Sequence, residues 1–261
     1  MPNYGTWIRR SRVAWFAAAT AVCLAGAVLA LLTPWFLLFL VPLAVFGYIT
    51  AILALTVHRL GPRGGDFQRR IHELIAAKSA AETTATAAGC KILDVGCGSG
   101  SLVVKLAKAH PGSTVTGIDS WGGDWEYSQR QCAENARIEG VADRTTFDRQ
   151  SAAAIDFGDA TFDVVVSCLT FHEIREAARK TDGVTEALRV LRPGGRYVFL
   201  DLFGDRGVFP DDPRGTIPGE FIPLDDAMAL KFPLKHPKVL GHAVLIVGTK
   251  PPAGQAPPGP S

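Results

Sequence analysis

Two stretches without a charged side chain set the strongest constraint on this 261-residue chain. Val13–Leu32 (VAWFAAATAVCLAGAVLALL) runs for twenty residues and Leu37–Val57 (LLFLVPLAVFGYITAILALTV) for twenty-one. A helix rises about 1.5 Å per residue, so each run covers about 30 Å, the thickness of a bilayer's hydrocarbon. Both are apolar all round, unlike a core helix with one apolar stripe. Thr33-Pro34-Trp35-Phe36 leaves room only for a tight turn, with Trp35 at interfacial depth. The expectation is a transmembrane helical hairpin within residues 1–60. Met1–Gly65 contains no Asp or Glu; Arg9, Arg10 and Arg12 flank the first run, and Arg59 and Arg63 follow the second. By the positive-inside rule both ends lie on the cytoplasmic side, giving a two-span membrane protein with a cytoplasmic soluble part. A secretory signal peptide is disfavoured because the second run follows at once, and a buried soluble hairpin because neither run is one-sided.

Gly61-Pro62-Arg63-Gly64-Gly65 breaks the helix and reads as a linker at 61–65. Residues 66–250 then form the soluble domain, and the Pro/Gly-rich tail 251–261 is expected to be disordered. The net charge is +2, but beyond Gly65 there are 22 basic and 25 acidic residues, which argues against a nucleic-acid partner. Cys23, Cys90, Cys97, Cys132 and Cys168 show no metal-ligand spacing, so no metal site is expected and the thiols read as reduced.

Asp66 is placed to cap a helix whose apolar residues Phe67, Ile71, Leu74 and Ile75 share one face, a lid or docking helix. Short apolar runs (Lys91–Val95, Val115–Ile118, Phe162–Ser167, Arg196–Leu200) then alternate with helical patterns (Ser101–Ala109, Asp124–Glu139, and one through Ala187–Leu191), which predicts a parallel α/β sheet. Arg192-Pro193-Gly194-Gly195 reads as a turn, and His242–Thr249 as the last strand. The sharpest signal is Ile92-Leu93-Asp94-Val95-Gly96-Cys97-Gly98-Ser99-Gly100, a strand entering a glycine loop that opens onto a helix. The GxGxG spacing and the preceding acid differ from the GxGxxG dinucleotide fingerprint, which makes an NAD-dependent oxidoreductase remote. Asp94 would repel a phosphate and suits an amino group; Asp119, closing the next strand, suits a pair of ribose hydroxyls. Ribose plus amino acid points to S-adenosylmethionine.

Lys91–Asp201 resembles the class I S-adenosylmethionine-dependent methyltransferase family through several motifs in order. These are ILDVGCGSG, Gly117-Ile118-Asp119, Thr161-Phe162-Asp163-Val164-Val165-Val166-Ser167 and Leu188-Arg189-Val190-Leu191-Arg192-Pro193-Gly194-Gly195. Trp121, Trp125-Glu126-Tyr127 and Gln131-Cys132-Ala133-Glu134-Asn135-Ala136 are similar to a bacterial subgroup whose substrate they do not name. The resemblance implies a doubly wound, mostly parallel seven-stranded sheet ending on an antiparallel strand. It leaves open whether the short, Pro/Gly-rich Leu202–Lys238 supplies the sixth strand. It also implies a cofactor site of Asp94, Gly96, Gly98, Gly100, Asp119, Ser120, Ser151, Ala152 and Cys168, with Ser151 standing where many relatives carry an adenine-binding Asp. Trp121 and Trp125 are equally suited to packing and to stacking on adenine. His172, just beyond the fourth strand and beside Glu173, is either a general base for a hydroxyl acceptor or a helix cap. The expected function is a membrane-anchored methyltransferase for a small or lipid-like acceptor; the alternative is a non-catalytic, membrane-tethered module that binds the cofactor and regulates a partner. Because the glycine loop and both acids follow the linker, cofactor binding is expected to survive removal of Met1–His58.

Overall fold

The computed structural model describes residues 1–29, 31–80, 89–122, 126–177, 179–211, 213–215 and 217–252. Its contacts divide the chain into two compact units, one of Thr6–Gln68 with Phe232–Leu234, the other of Met1–Gly5, Arg69–Lys231 and Lys235–Ser261.

In the smaller unit, α1 (Arg10–Leu29) and α2 (Leu40–Leu60) pack as an antiparallel pair joined by a 3-10 turn over Pro34–Phe39. The turn is longer than the sequence implies, because Pro34 starts a helical turn that Leu37–Phe39 continue. The Thr20 and Thr50 hydroxyls meet across the pair at 2.9 Å, and Trp15 lies edge-on to Phe46. Outward, the pair is apolar: Val22, Leu38 and Val41 are 65%, 75% and 73% exposed. Both helices are long and apolar enough to cross a membrane. Pro62–Gly64 forms a further 3-10 turn, and Asp66 takes φ 55°, not the extended backbone of a usual N-cap.

The larger unit carries α3 (Phe67–Ala80, counted here from Arg69), β1 (Lys91–Val95), α4 (Ser101–Ala109), β2 (Thr114–Asp119), α5 (Gln129–Ile138), β3 (Thr145–Arg149), β4 (Phe162–Cys168), α6 (Lys180–Val190), β5 (Leu191–Asp201), β6 (Glu220–Pro223), α7 (Leu224–Met228) and β7 (Val244–Thr249). The strands form one sheet in the order β3-β2-β1-β4-β5-β7-β6, parallel from β3 to β5, with β7 antiparallel to both neighbours. This is the doubly wound seven-stranded sheet expected. The central strands are near-continuous apolar runs because helices cover both faces; Val164, Val165, Val166, Tyr197, Val198 and Phe199 are fully buried.

Three local differences from the sequence reading have physical causes. Arg192–Gly195 is a bulge inside β5, not a free turn. Pairing with β4 jumps from Phe162↔Leu191 to Val164↔Arg196, and Pro193 and Gly194 (φ 75°) absorb the extra residues. Leu191 therefore opens the strand and does not close α6. Leu202–Lys238 does supply a strand, β6, short because only Glu220–Pro223 pair with β7. The helix sought from Asp124 starts at Gln129, after the Ser128 N-cap, whose hydroxyl accepts from the Gln131 N–H. Trp125 and most of the Pro/Gly tail lie outside the described residues.

The amphipathic face expected of α3 is buried at Ile71 and Ile75. Two buried Ser–His pairs join α3 to the ends of α4: His72 Nδ1 to Ser101 Oγ at 3.0 Å, and Ser79 Oγ to His110 Nε2 at 3.0 Å. Burial, aided by the charge of Lys105, pushes His72 down to about 3, so it is neutral. Ser101 is the first residue of α4, so this latch sits directly behind the glycine loop.

Candidate active site

The order β2-β1-β4 makes β1 the strand from which the chain crosses in opposite directions, and a ligand crevice opens beyond the carboxyl ends of strands at such a switch point. Register aligns those ends: Val95 pairs with Ile118 and Ser167, and Asp119 with Arg149. Asp94, the glycine loop, Asp119, Ser120, Ser151 and Cys168 therefore share one edge of the sheet.

Gly96 (φ 80°) lies under Thr170, where any Cβ would overlap the threonine side chain; Gly98 (φ 54°) faces the Tyr127 ring, 3.4 Å from where a Cβ would stand. At Gly96 glycine meets both the backbone angle and the close approach, and at Gly98 the backbone angle. The Gly98 peptide is held on both sides. Its N–H donates to Asp119 Oδ2 at 2.9 Å, while its carbonyl accepts from Trp121 Nε1 at 2.8 Å and Cys132 Sγ at 3.1 Å. Trp121, 6% exposed, thus clamps the loop, which decides between packing and stacking in favour of packing. Asp119 also accepts from the Trp121 N–H at 2.7 Å. Each oxygen keeps a lone pair for a further donor.

Asp94 is 1% exposed, and neither carboxylate oxygen has a hydrogen-bond partner within the protein. Burial first, and then Asp119, pushes its carboxyl well above the usual range. A buried carboxylate without donors is costly, and a ligand ammonium beside the glycine loop would compensate it. The residues present therefore fit S-adenosylmethionine: Asp94 for the amino group, Asp119 for ribose hydroxyls, glycines where the ligand passes the backbone. The Ser151 hydroxyl oxygen accepts from the Ala153 N–H at 3.1 Å, and Ala152 packs against the core. Ser120 is exposed, its carbonyl accepting from Arg149 at 2.9 Å.

Cys168 ends β4; burial, then the carboxylates of Asp94 and Asp201, raise its thiol well above the usual range, so it is a neutral wall residue between two acids. Beyond it, Phe171–Glu173 form a 3-10 turn, and α6 does not start until Lys180. His172 is therefore no helix cap. Its Nδ1 lies 2.6 Å from Asp201 Oδ1, and Nε2 lies 3.5 Å from Glu173 Oε1. Asp201, fully buried, also accepts from the N–H groups of Phe171 (2.7 Å), His172 (3.3 Å) and Leu202 (2.7 Å). Burial opposes charge on His172, but Asp201 and then Glu173 outweigh it and push the imidazole up to about 10. Asp201 is the candidate site residue that sequence reasoning missed. Its signal was an acid closing an apolar strand, as Asp119 does.

Residues 92–195 match the family model described as a methyltransferase domain. Among similar proteins, methyltransferase GfsG of Streptomyces halstedii is 31% identical over 158 residues, covering 60% of this chain and 53% of that protein. The ubiquinone/menaquinone biosynthesis C-methyltransferase UbiE of Geobacter sulfurreducens is 33% identical over 115 residues, covering 44% and 42%. The chain spans about half the length of the curated relatives it matches. The fold is similar to that of geranyl diphosphate C-methyltransferase from Streptomyces coelicolor A3(2), with a TM-score of 0.51, 15% identity, and coverage of 72% of this chain and 81% of that one. With the motif order, the sheet order and the glycine-loop geometry in agreement, residues 92–195 form a domain of the class I S-adenosylmethionine-dependent methyltransferase type.

Proposed function

We propose that this protein transfers a methyl group from S-adenosylmethionine to a small or lipid-like hydroxyl acceptor, and that α1 and α2 hold the catalytic domain at the cytoplasmic face of a membrane. The observation that carries the transfer reading is the buried, unpartnered carboxylate of Asp94 beside the glycine loop. When bound, the cofactor supplies a methyl group on a sulfonium centre, open to in-line attack. Asp94 and Asp119 fix the two ends of the ligand. Thr170 packs against Gly96, so the glycine loop touches the residue that precedes the Phe171–Glu173 turn; this supports the reading of His172 as the base that faces the acceptor. Asp201 accepts the Nδ1–H hydrogen bond and so leaves Nε2, once deprotonated, as the atom that accepts a proton from the acceptor. Because the imidazole is charged at neutral pH, turnover of a hydroxyl acceptor is expected to climb toward about pH 10. The test is the methyl-transfer rate against pH for wild type and Asp201→Asn with a panel of phenols and membrane lipids. The variant's rise should shift toward 6.5; identical profiles sink the base assignment.

The membrane reading is supported by the outward apolar surface of α1 and α2 and by the docking of Met1–Gly5 within the same unit as the domain that follows α2. A segment before α1 and a domain after α2 can pack together only if an even number of spans separates them, which fits a hairpin and not a cleaved leader. Protease protection of vesicles checks it: cleavage of the domain only from the lumenal side would reverse the topology. The rival non-catalytic module draws on Ser151 and on an incomplete sheet, and β6 removes the second support.

A further inference from the structure

The subgroup motif Gln131–Ala136 is not used by the transfer chemistry, yet it is built for a purpose. On α5, Gln131 and Asn135 lie one turn apart, and Glu139 follows one turn later at the helix end, so the three share a stripe. Asn3 lies on that stripe. Its N–H donates to Asn135 Oδ1 at 2.7 Å; its carbonyl accepts from Asn135 Nδ2 at 2.8 Å and Gln131 Nε2 at 2.6 Å. The Asn135 side chain thus reads both backbone groups of residue 3, as a neighbouring strand would. Next along, the Tyr4 hydroxyl donates to Glu139 at 3.2 Å, and Lys105 Nζ lies 5.4 Å from the centre of the Tyr4 ring.

Two routes run from this segment to the glycine loop. Asn135, 2% exposed, spends its second N–H on the Ser99 carbonyl at 2.9 Å, so one buried amide ties Asn3 to the loop. Gly5 (φ 60°) stands against the Tyr127 ring, 3.0 Å from where a Cβ would be, and that same ring faces Gly98. Burial, then Glu126 and Asp119, pushes the Tyr127 hydroxyl up to about 12, which keeps it a neutral donor.

The geometry points to Asn3–Gly5 as a strap that positions Tyr127 and Ser99 on the cofactor site, so that cofactor affinity depends on a segment lying before both apolar helices. The domain beyond the linker is then not self-sufficient for binding, contrary to the sequence-based expectation for removal of Met1–His58. This inference rests on the cofactor site alone and stands whether or not the acceptor reading holds.

The test uses the full-length chain in detergent micelles, with S-adenosylmethionine binding followed by calorimetry. Deleting Pro2–Tyr4 is expected to weaken binding about tenfold, and saturating peptide Met-Pro-Asn-Tyr-Gly added in trans is expected to restore it. A merely destabilising deletion gives no such rescue. Asn135→Leu should weaken binding at least as much without rescue, since the peptide has lost its receptor. In the wild type, the amides of Asn3 and of Gly98–Ser101 should gain hydrogen-exchange protection together when S-adenosylmethionine is added. Unchanged affinity in the deletion variant, failure of the peptide to rescue it, or protection of the loop without Asn3 overturns the proposal.

Discussion

Asp94 and Asp201 are the same residue type in nearly the same setting. Each is buried, with 1% and 0% exposure, at the carboxyl end of a strand, on either side of β4. Their surroundings are opposite: Asp94 has no donor, whereas Asp201 takes three backbone N–H groups and an imidazole. An orphaned carboxylate is a cost that a ligand removes on binding, so its energy appears as affinity. A satisfied one is already in balance with its partners; its energy appears as the fixed position of His172. On the proposed function, Asp94 is therefore the binding acid and Asp201 the positioning acid.

The largest expected effect tests the positioning side. His172→Ala should lower turnover of a hydroxyl acceptor by about 10²–10⁴-fold while S-adenosylmethionine affinity barely moves. Parallel losses in both, read from kinetics and calorimetry, would collapse the distinction between the two ends of the site. Next comes Asp94→Asn, which keeps shape but removes charge. Cofactor binding should weaken by about 1.5–3 kcal/mol, the value of a charge-assisted hydrogen bond. The ligand-free protein should melt at a higher temperature at pH 8, since the cost of burying a carboxyl without donors is gone. A variant that both binds and melts like the wild type would show that Asp94 is not the binding acid. Asp119→Ala should cost about 1.5–3 kcal/mol of cofactor affinity per lost bond. It should also loosen the Gly98 amide, visible as faster hydrogen exchange, because that N–H loses its acceptor.

The smallest effect is a pH slope in the stability of the ligand-free protein. The folded His172 holds its proton up to about 10, against 6.5 when unfolded, so the folded state binds more protons in that window. Its stabilisation is complete below 6.5 and is lost as pH rises through 10. Asp94, raised for the opposite reason, also makes the folded state the more protonated one above the ordinary carboxylate range, and the two slopes add. Each is at most about 1.4 kcal/mol per pH unit. Denaturant titrations above pH 6.5 should show a shallower slope in Asp201→Asn than in wild type; a slope undiminished in that variant would show that the Asp201–His172 pair does not carry it.

Much of this was legible in the chain because local chemistry wrote it there. Lys91–Val95 and Ser101–Ala109 have the bounds that the apolar run and the helical spacing gave. The glycines of GxGxG need the positive φ they carry, and a charge-free run of twenty residues has few folded settings. The four-residue β6 was not legible: it pairs only because β7 offers an edge, and its own sequence has no alternation long enough to read. The bulge at Arg192–Gly195 likewise follows from register against β4.

By itself, then, the sequence determined the two apolar helices, the alternating α/β order, the glycine loop with Asp94 and Asp119 beside it, and through the motif order the type of the domain over residues 92–195. Each is a property of neighbours within about ten residues, where periodicity, backbone freedom and side-chain charge act directly. The tertiary structure alone decided which buried acid is satisfied, bringing His172 onto Asp201 and leaving Asp94 without a partner. It also decided that Trp121 clamps a loop and that Asn3 rests on Asn135, 132 positions away. Hydrogen-bond satisfaction of a buried group depends on what the fold brings to it, and no local pattern encodes that.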